Sequence, residues 1–281
     1  HIVLYNEANL IKEKIDSVYQ NVNIHIQNYD EFPGTAGALM KGFGENKKSL
    51  IDTKYDKVLV LSGDMPLIQA STLQCFIRSD CDITMGILEL EDASGYGRVI
   101  MKENKVLGIV EEKDADEKIK KTNLANAGIY LTDIIGLANK NNCRILGVSA
   151  KESEFIGVNS KLDLAKAESF ILKSLREKAM RDGVIFRIPE RIYIEFGVEF
   201  IGECEIESNC VLKKGTKIIE SKILSNSVIE DSLIENSTIG PFARIRPKSH
   251  IKDSHIGNFV EVKASILNDV KAGHLSYLGD S

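Results

Sequence analysis

Asp64 follows the apolar run Val58–Leu61 and the small residues Ser62 and Gly63. If that run is a strand of an α/β sheet, Asp64 stands at its carboxyl end. Such sheets place ligand sites there, and a carboxylate in that position can hold a divalent cation between phosphates. The plainer reading is a loop aspartate capping the turn before Pro66. Asn159 offers a hard carbonyl oxygen, or merely precedes the helix cap at Ser160. Gly34-Thr35 stands before the small-residue stretch AGAL, where glycine permits close backbone approach to a flat ring and a following helix offers free N–H groups; a Pro-Gly turn is the competing reading. Glu111-Glu112-Lys113 reads by itself as a solvated, charged strand end. His274 has an unperturbed pKa suited to taking a proton, although a lone histidine is more often structural. Arg244, Arg246 and Lys263 are cations that fit a phosphate dianion or a solvated coil face equally well.

Two grammars position these residues. In the first part, VLVL reads as a strand buried on both faces of a sheet, Ser71–Ile77 as a short helix, and Ile83–Leu88 as a strand. Arg98–Met101 and Val106–Val110 read as a strand pair joined by Glu103-Asn104, and Ala127–Leu131 as one more strand. Strands mixed with helices predict an α/β domain. Leu164, Ala167, Ile171, Leu175 and Ala179 then form one apolar stripe on a long connecting helix, with Ser160 and Asp163 as its capping pair and Gly183 as its stop.

From about Ile188 the texture changes. Ile239, Ile245 and Ile251 recur every six residues, Ile229, Ile234 and Ile239 every five, with short polar corners such as SNS, EDS and KDS between them. That spacing suits a parallel β-helix with three short strands per turn, the aliphatic at each corner pointing inward. A sandwich of ordinary strands needs longer spacing.

The 281 residues suffice for one large domain or two ordinary ones, and 43% hydrophobic with 27% charged residues excludes disorder and fibrous classes. A net charge of -5, no Trp and 6% aromatics argue against nucleic-acid partners. Five cysteines without CxxC spacing read as reduced thiols in a cytoplasmic protein. No apolar run is long enough for a membrane span. The chain opens at His1 and closes at LSYLGDS, which reads as a piece of a longer protein cut at both ends.

PGTAGAL at 33–39, LSGDMPLI at 61–68, GYGRVI at 95–100, GIVEEKDA at 108–115, NAGIYL at 126–131, GVNSKLDLA at 157–165, NFVEVK at 258–263 and KAGHLSYLGDS at 271–281 occur in this order. As an ordered set over nearly the whole chain, they resemble the bifunctional N-acetylglucosamine-1-phosphate uridyltransferase/glucosamine-1-phosphate acetyltransferase family. The resemblance implies a Rossmann-like mixed-sheet nucleotidyltransferase domain over 1–160, a linker helix over 161–183, and a left-handed parallel β-helix of hexapeptide repeats over 184–281. It implies two reactions: acetyl transfer from acetyl-CoA to glucosamine 1-phosphate, then uridyl transfer from UTP to N-acetylglucosamine 1-phosphate with release of pyrophosphate. Mg²⁺ would be held by Asp64 and Asn159. Gln27, Gly34 and Thr35 would contact uracil, with Ser62 and Gly63 beside the nucleotide, and Gly97, Glu111 and Asn126 would contact the sugar. His274 would be the acetyl-transfer base, and Arg246, Lys263 and Tyr277 would bind the second sugar phosphate.

The resemblance also implies a cytoplasmic homotrimer with no nucleic-acid or stable membrane partner. The family's glycine-rich triphosphate loop and its last coils lie beyond this chain, so the resemblance implies that neither site is complete in it. Two other readings remain in view: another sugar-1-phosphate nucleotidyltransferase with a structural β-helix tail, such as an ADP-glucose or GDP-mannose pyrophosphorylase, and a non-catalytic scaffold of the same fold.

Overall fold

The computed structural model describes residues 1–31, 33–41, 56–94, 96–102, 105–122, 124–126 and 132–280, with backbone alone at 36, 40, 41, 125, 126, 132 and 133. The expected strand over Ala127–Leu131 and the Glu103-Asn104 connection lie outside the described residues. The chain divides into two compact units, His1–Asp163 and Leu164–Ser281.

In the first unit, β1 (Ile2–Leu4) and β2 (Ile24–Ile26) pair in parallel around α1 (Ala8–Asp16), and α2 (Gly34–Lys41) follows. Next come α3 (Ala70–Arg78), β3 (Ile83–Glu89), β4 (Arg98–Lys102), β5 (Lys105–Val110), the short α4 (Glu117–Lys120), β6 (Leu124–Asn126), α5 (Thr132–Lys140) and β7 (Ile145–Ser149). A five-stranded sheet runs in the order β5-β4-β6-β3-β7. Among its described strands only β3 and β7 pair in parallel, the remaining pairs being antiparallel. Successive side chains on a strand face opposite ways. Accordingly Ile87 packs with Val99, Val106, Ile135 and Ile145, while Leu88 packs with Leu90, Ala93 and Phe155. The sheet therefore has a core on each face.

The expected strand at Val58–Leu61 does not form: these residues carry no ladder, and Val58 and Leu61 are about half exposed. The run instead lines a cavity of about 350 Å³ with Phe76, Ile83, Met85, Ile135 and Phe155. A short apolar run specifies burial, not hydrogen-bond pairing, and here contact with one wall satisfies it.

The helix α6 (Lys161–Arg181) begins where Ser160 caps it. The Ser160 hydroxyl accepts from the Asp163 N–H at 3.2 Å and donates to its carboxylate at 2.7 Å. It ends at Gly183, whose φ of +102° lets Val184 N–H reach back to Ala179 C=O at 3.0 Å. Ala167 and Ala179 of the stripe are buried, whereas Leu164 and Ile171 remain exposed.

The second unit is a parallel β-solenoid of about six turns, with three sheets of five, six and six strands. Ile206, Leu212, Ile218, Ile223, Ile229, Ile234, Ile239, Ile245, Ile251, Ile256 and Val262 stack inside it, each with no exposed surface. Burying one such side chain is worth roughly 1.5–3 kcal/mol, so this column dominates the solenoid's stability. Most inward aliphatics sit on the strands and not at the corners as the spacing suggested, with Val260 and Val270 as corner exceptions. Many corners are a left-handed residue followed by a small buried one: Glu220-Ser221, Asn236-Ser237, Asp253-Ser254, and again Asp231-Ser232 and Lys248-Ser249. At the corners after Phe259 and Asp269 a valine takes this slot, Val260 buried and Val270 packed against the core. The Ser237 hydroxyl donates to Glu235 C=O at 2.6 Å and accepts from Ser254 N–H at 3.0 Å, one coil on. Ser221 and Ser254 repeat the pattern. Cys204 occupies the same slot one coil earlier, its thiol directed at Ile218 C=O.

Candidate active sites

Asp64 lies in the turn after Leu61, and its carboxylate accepts from the Ser62 hydroxyl. The Asp64 carbonyl accepts from Val158 N–H at 2.8 Å, which ties this turn to the loop carrying Asn159. A second clamp joins the same two segments. Buried Glu154 accepts from the Gln69 N–H at 3.2 Å and from the Thr72 hydroxyl at 2.6 Å, satisfying free donors at the start of α3. Gly157 lies between the two candidate ligands. A Cβ on it would stand 3.2 Å from Asp64 Oδ2 and 3.3 Å from Asn159 Nδ2, so a half-turn of the Asn159 amide brings its carbonyl oxygen to the same place. A carboxylate and an amide converging on a cradle that only glycine leaves open suit a hard cation that takes its remaining oxygens from phosphates. Among the described residues, no group of three or more His, Cys, Asp and Glu side chains could hold a metal by itself.

Gly97, Glu111 and Asn126 belong to one row across the sheet. Arg98 is in register with Val110 on β5 and Ala125 on β6, both antiparallel, so Gly97 comes opposite Glu111 and Asn126. The Glu111 carboxylate lies 3.7 Å from where a Gly97 Cβ would be. The row continues through Ile87, in register with Asn126, to Ser149 on β7. The Asn126 side chain lies outside the described residues. Glu112 turns away from this row toward Arg98, at 3.8 Å.

Gln27 and Gly34 also meet: the Gln27 side-chain amide donates to Gly34 C=O at 2.8 Å. Gly34 has a φ of +71° at the first position of α2, and Gly34 and Thr35 are exposed.

On the solenoid, Arg246, Lys263 and Tyr277 belong to one prism face. Arg246 N–H donates to Val262 C=O at 2.8 Å, and Lys263 is in register with Gly279. Each cation already has a carboxylate: Arg246 meets Glu261 at 3.1 Å, and Lys263 meets Asp280 at 3.6 Å. The Tyr277 phenol lies across Gly279, where an added Cβ would be 2.5 Å from its hydroxyl oxygen. His274 ends the Lys271–His274 strand on the neighbouring face, exposed, beyond the Leu275-Ser276 corner. The two faces thus present a cationic column with a phenol and, separately, an imidazole.

Residues 1–144 match the nucleotidyl transferase family model. The bifunctional protein GlmU of a Nitratiruptor species is 46% identical over 304 residues, covering 100% of this chain and 69% of that protein. The bifunctional protein GlmU of Helicobacter hepaticus is 44% identical over 312 residues, covering 100% of this chain and 69% of its own length. That of Wolinella succinogenes is 43% identical over 303 residues, covering 99% and 68%.

The chain belongs to the GlmU family.

For a GlmU-family chain, the residues that motif reading passed over are those that assemble the site rather than fill it. Gly157 stands inside GVNS but carries no side chain to attract notice. Glu154 reads in sequence as one more acidic loop residue, and only its burial to 7% exposure marks it. Arg98, inside GYGR, carried a signal of its own: a cation opening an otherwise apolar strand. No helix among the described residues is long and apolar enough to cross a membrane.

Proposed function

We propose that this GlmU-family chain serves UDP-N-acetylglucosamine synthesis, with uridyl transfer assigned to the first unit and acetyl transfer to the solenoid. The observation that carries the first assignment is the convergence of Asp64, within the stretch matched to nucleotidyl transferases, and Asn159, just after it, on Gly157. Uridyl transfer joins a phosphate oxygen of N-acetylglucosamine 1-phosphate to the α-phosphorus of UTP as the bond to pyrophosphate breaks. Such chemistry is mostly alignment and charge neutralisation. Asp64 and Asn159 would hold Mg²⁺, which supplies neutralisation between the phosphates when bound. Gln27, Gly34 and Thr35 hold the uracil, with Ser62 and Gly63 beside the nucleotide. Gly97 donates its N–H to the sugar, while Glu111 and Asn126 pair with its hydroxyl and amide groups.

At the solenoid, His274 takes the proton from the ammonium of glucosamine 1-phosphate. The freed amine attacks the acetyl-CoA thioester, and the CoA thiolate leaves. Arg246 and Lys263 exchange their carboxylate partners for the sugar phosphate, and Tyr277 packs against the sugar. We assign the chain to a cytoplasmic homotrimer, since the flat faces of a three-sided prism suit closed symmetric association.

Calorimetric titration tests the reading. UTP should bind in preference to ATP, and N-acetylglucosamine 1-phosphate in preference to glucose 1-phosphate. Equal affinity for ATP and glucose 1-phosphate would favour an ADP-glucose pyrophosphorylase instead, and binding of neither sugar phosphate would favour a scaffold.

A further inference from the structure

Arg98 is 3% exposed, yet its Nε has no hydrogen-bond partner among the described residues. One Nη donates to the Tyr96 carbonyl, and the other stands 3.8 Å from a Glu112 carboxylate that is itself partly in solvent. A guanidinium cannot shed its proton, so the fold keeps a buried cation that its neighbours offset only in part. Its position accounts for that expense. Arg98 follows Gly97 directly and is in register with Val110 and Ala125, the residues immediately before Glu111 and Asn126.

In a trans peptide the C=O and the N–H point in opposite directions. The Tyr96 carbonyl and the Gly97 N–H belong to one peptide unit, so holding the carbonyl inward turns the N–H outward. We infer that Arg98 is a positioning residue for the sugar phosphate: it locks the Tyr96–Gly97 peptide so that the Gly97 N–H faces the sugar, and it draws Glu112 aside so that Glu111 stands in the row. This rests on the sugar-binding role proposed above. Arg98 itself does not touch the substrate.

Lysine at 98 keeps the charge but has one flexible ammonium in place of a rigid fork, so it should not replace the arginine. The test is calorimetry of N-acetylglucosamine 1-phosphate and of UTP on the wild-type chain, Arg98→Lys and Arg98→Met, with the Gly97 amide followed by NMR. Sugar-phosphate affinity should fall about tenfold or more in both variants, the loss expected for one misaligned hydrogen bond to a bound polar group. UTP affinity should hold. The Gly97 amide signal should move on adding sugar phosphate to the wild type and stay still in Arg98→Lys. If Arg98→Met does not fold, Arg98→Lys decides. Unchanged sugar-phosphate affinity in Arg98→Lys would overturn the inference, as would parallel loss of both ligands. A wild-type chain that binds UTP but no sugar phosphate would overturn the sugar-binding reading itself, and the inference with it.

Discussion

Asp64 Oδ2 and Asn159 Nδ2 both lie beside Gly157, at 3.2 and 3.3 Å from where a Cβ would project. Gly157 lies outside the left-handed region, so alanine meets no backbone strain there. What alanine adds is a methyl group beside the two proposed cation ligands. Gly157→Ala should therefore leave the thermal transition nearly in place while weakening Mg²⁺-dependent UTP binding by about 10–100-fold, the usual cost of disturbing the groups around a metal. Calorimetry at several Mg²⁺ concentrations checks this; unaltered Mg²⁺ dependence would show that the cradle is not the cation site.

The solenoid's stability should divide between the isoleucine column and the serine corners. Ile234→Ala removes a fully buried side chain and should cost about 2–5 kcal/mol. Ser237→Ala strips a donor from Glu235 C=O and an acceptor from Ser254 N–H, and should cost about 1–3 kcal/mol. Denaturant unfolding of both variants measures each, and a Ser237→Ala protein as stable as wild type would make the corner bonds dispensable.

Burial raises the Cys210 thiol to about 11, from an ordinary value near 9. At pH 8 its thiolate fraction is correspondingly small, and the thiolate is the reactive form. Exposed Cys75 should react with a thiol reagent promptly, whereas Cys204 and Cys210 should react only on unfolding. The sign for stability follows: the folded state holds the Cys210 proton more tightly than the unfolded one. That contribution is complete below pH 9 and lost as pH rises toward 11. Prompt labelling of Cys210 at pH 8 would show that the solenoid opens there.

Periodicity made the solenoid legible, because every turn repeats one environment and the aliphatic spacing records it. The corners were legible only in part, since spacing marks where an aliphatic recurs but not whether it lies on a strand, as Ile234 does, or at a bend, as Val260 does. In the first unit, Ser71–Ile77, Ile83–Leu88 and the Arg98–Val110 pair were readable from local pattern. The Val58–Leu61 run was not, because a short apolar run fits a strand and a cavity wall alike. Motifs located Gly97, Glu111 and Asn126 one at a time. Their common row depends on strand register across intervening loops, which no local pattern encodes. The approach of Asn159 to Asp64 depends likewise on Glu154 and Val158 reaching distant backbone.

The most direct measurement is a calorimetric titration of UTP into the wild-type chain and Asp64→Asn, each with and without Mg²⁺. Asparagine keeps the shape and removes the charge that would hold the cation. The wild type should bind UTP more tightly with Mg²⁺ than without. Asp64→Asn should lose that gain, by about 10-fold or more, while its Mg²⁺-free affinity stays level or improves as a negative charge leaves the phosphate site. An Asp64→Asn chain with the wild type's full response to Mg²⁺ would contradict the assignment of Asp64 to the nucleotide's cation.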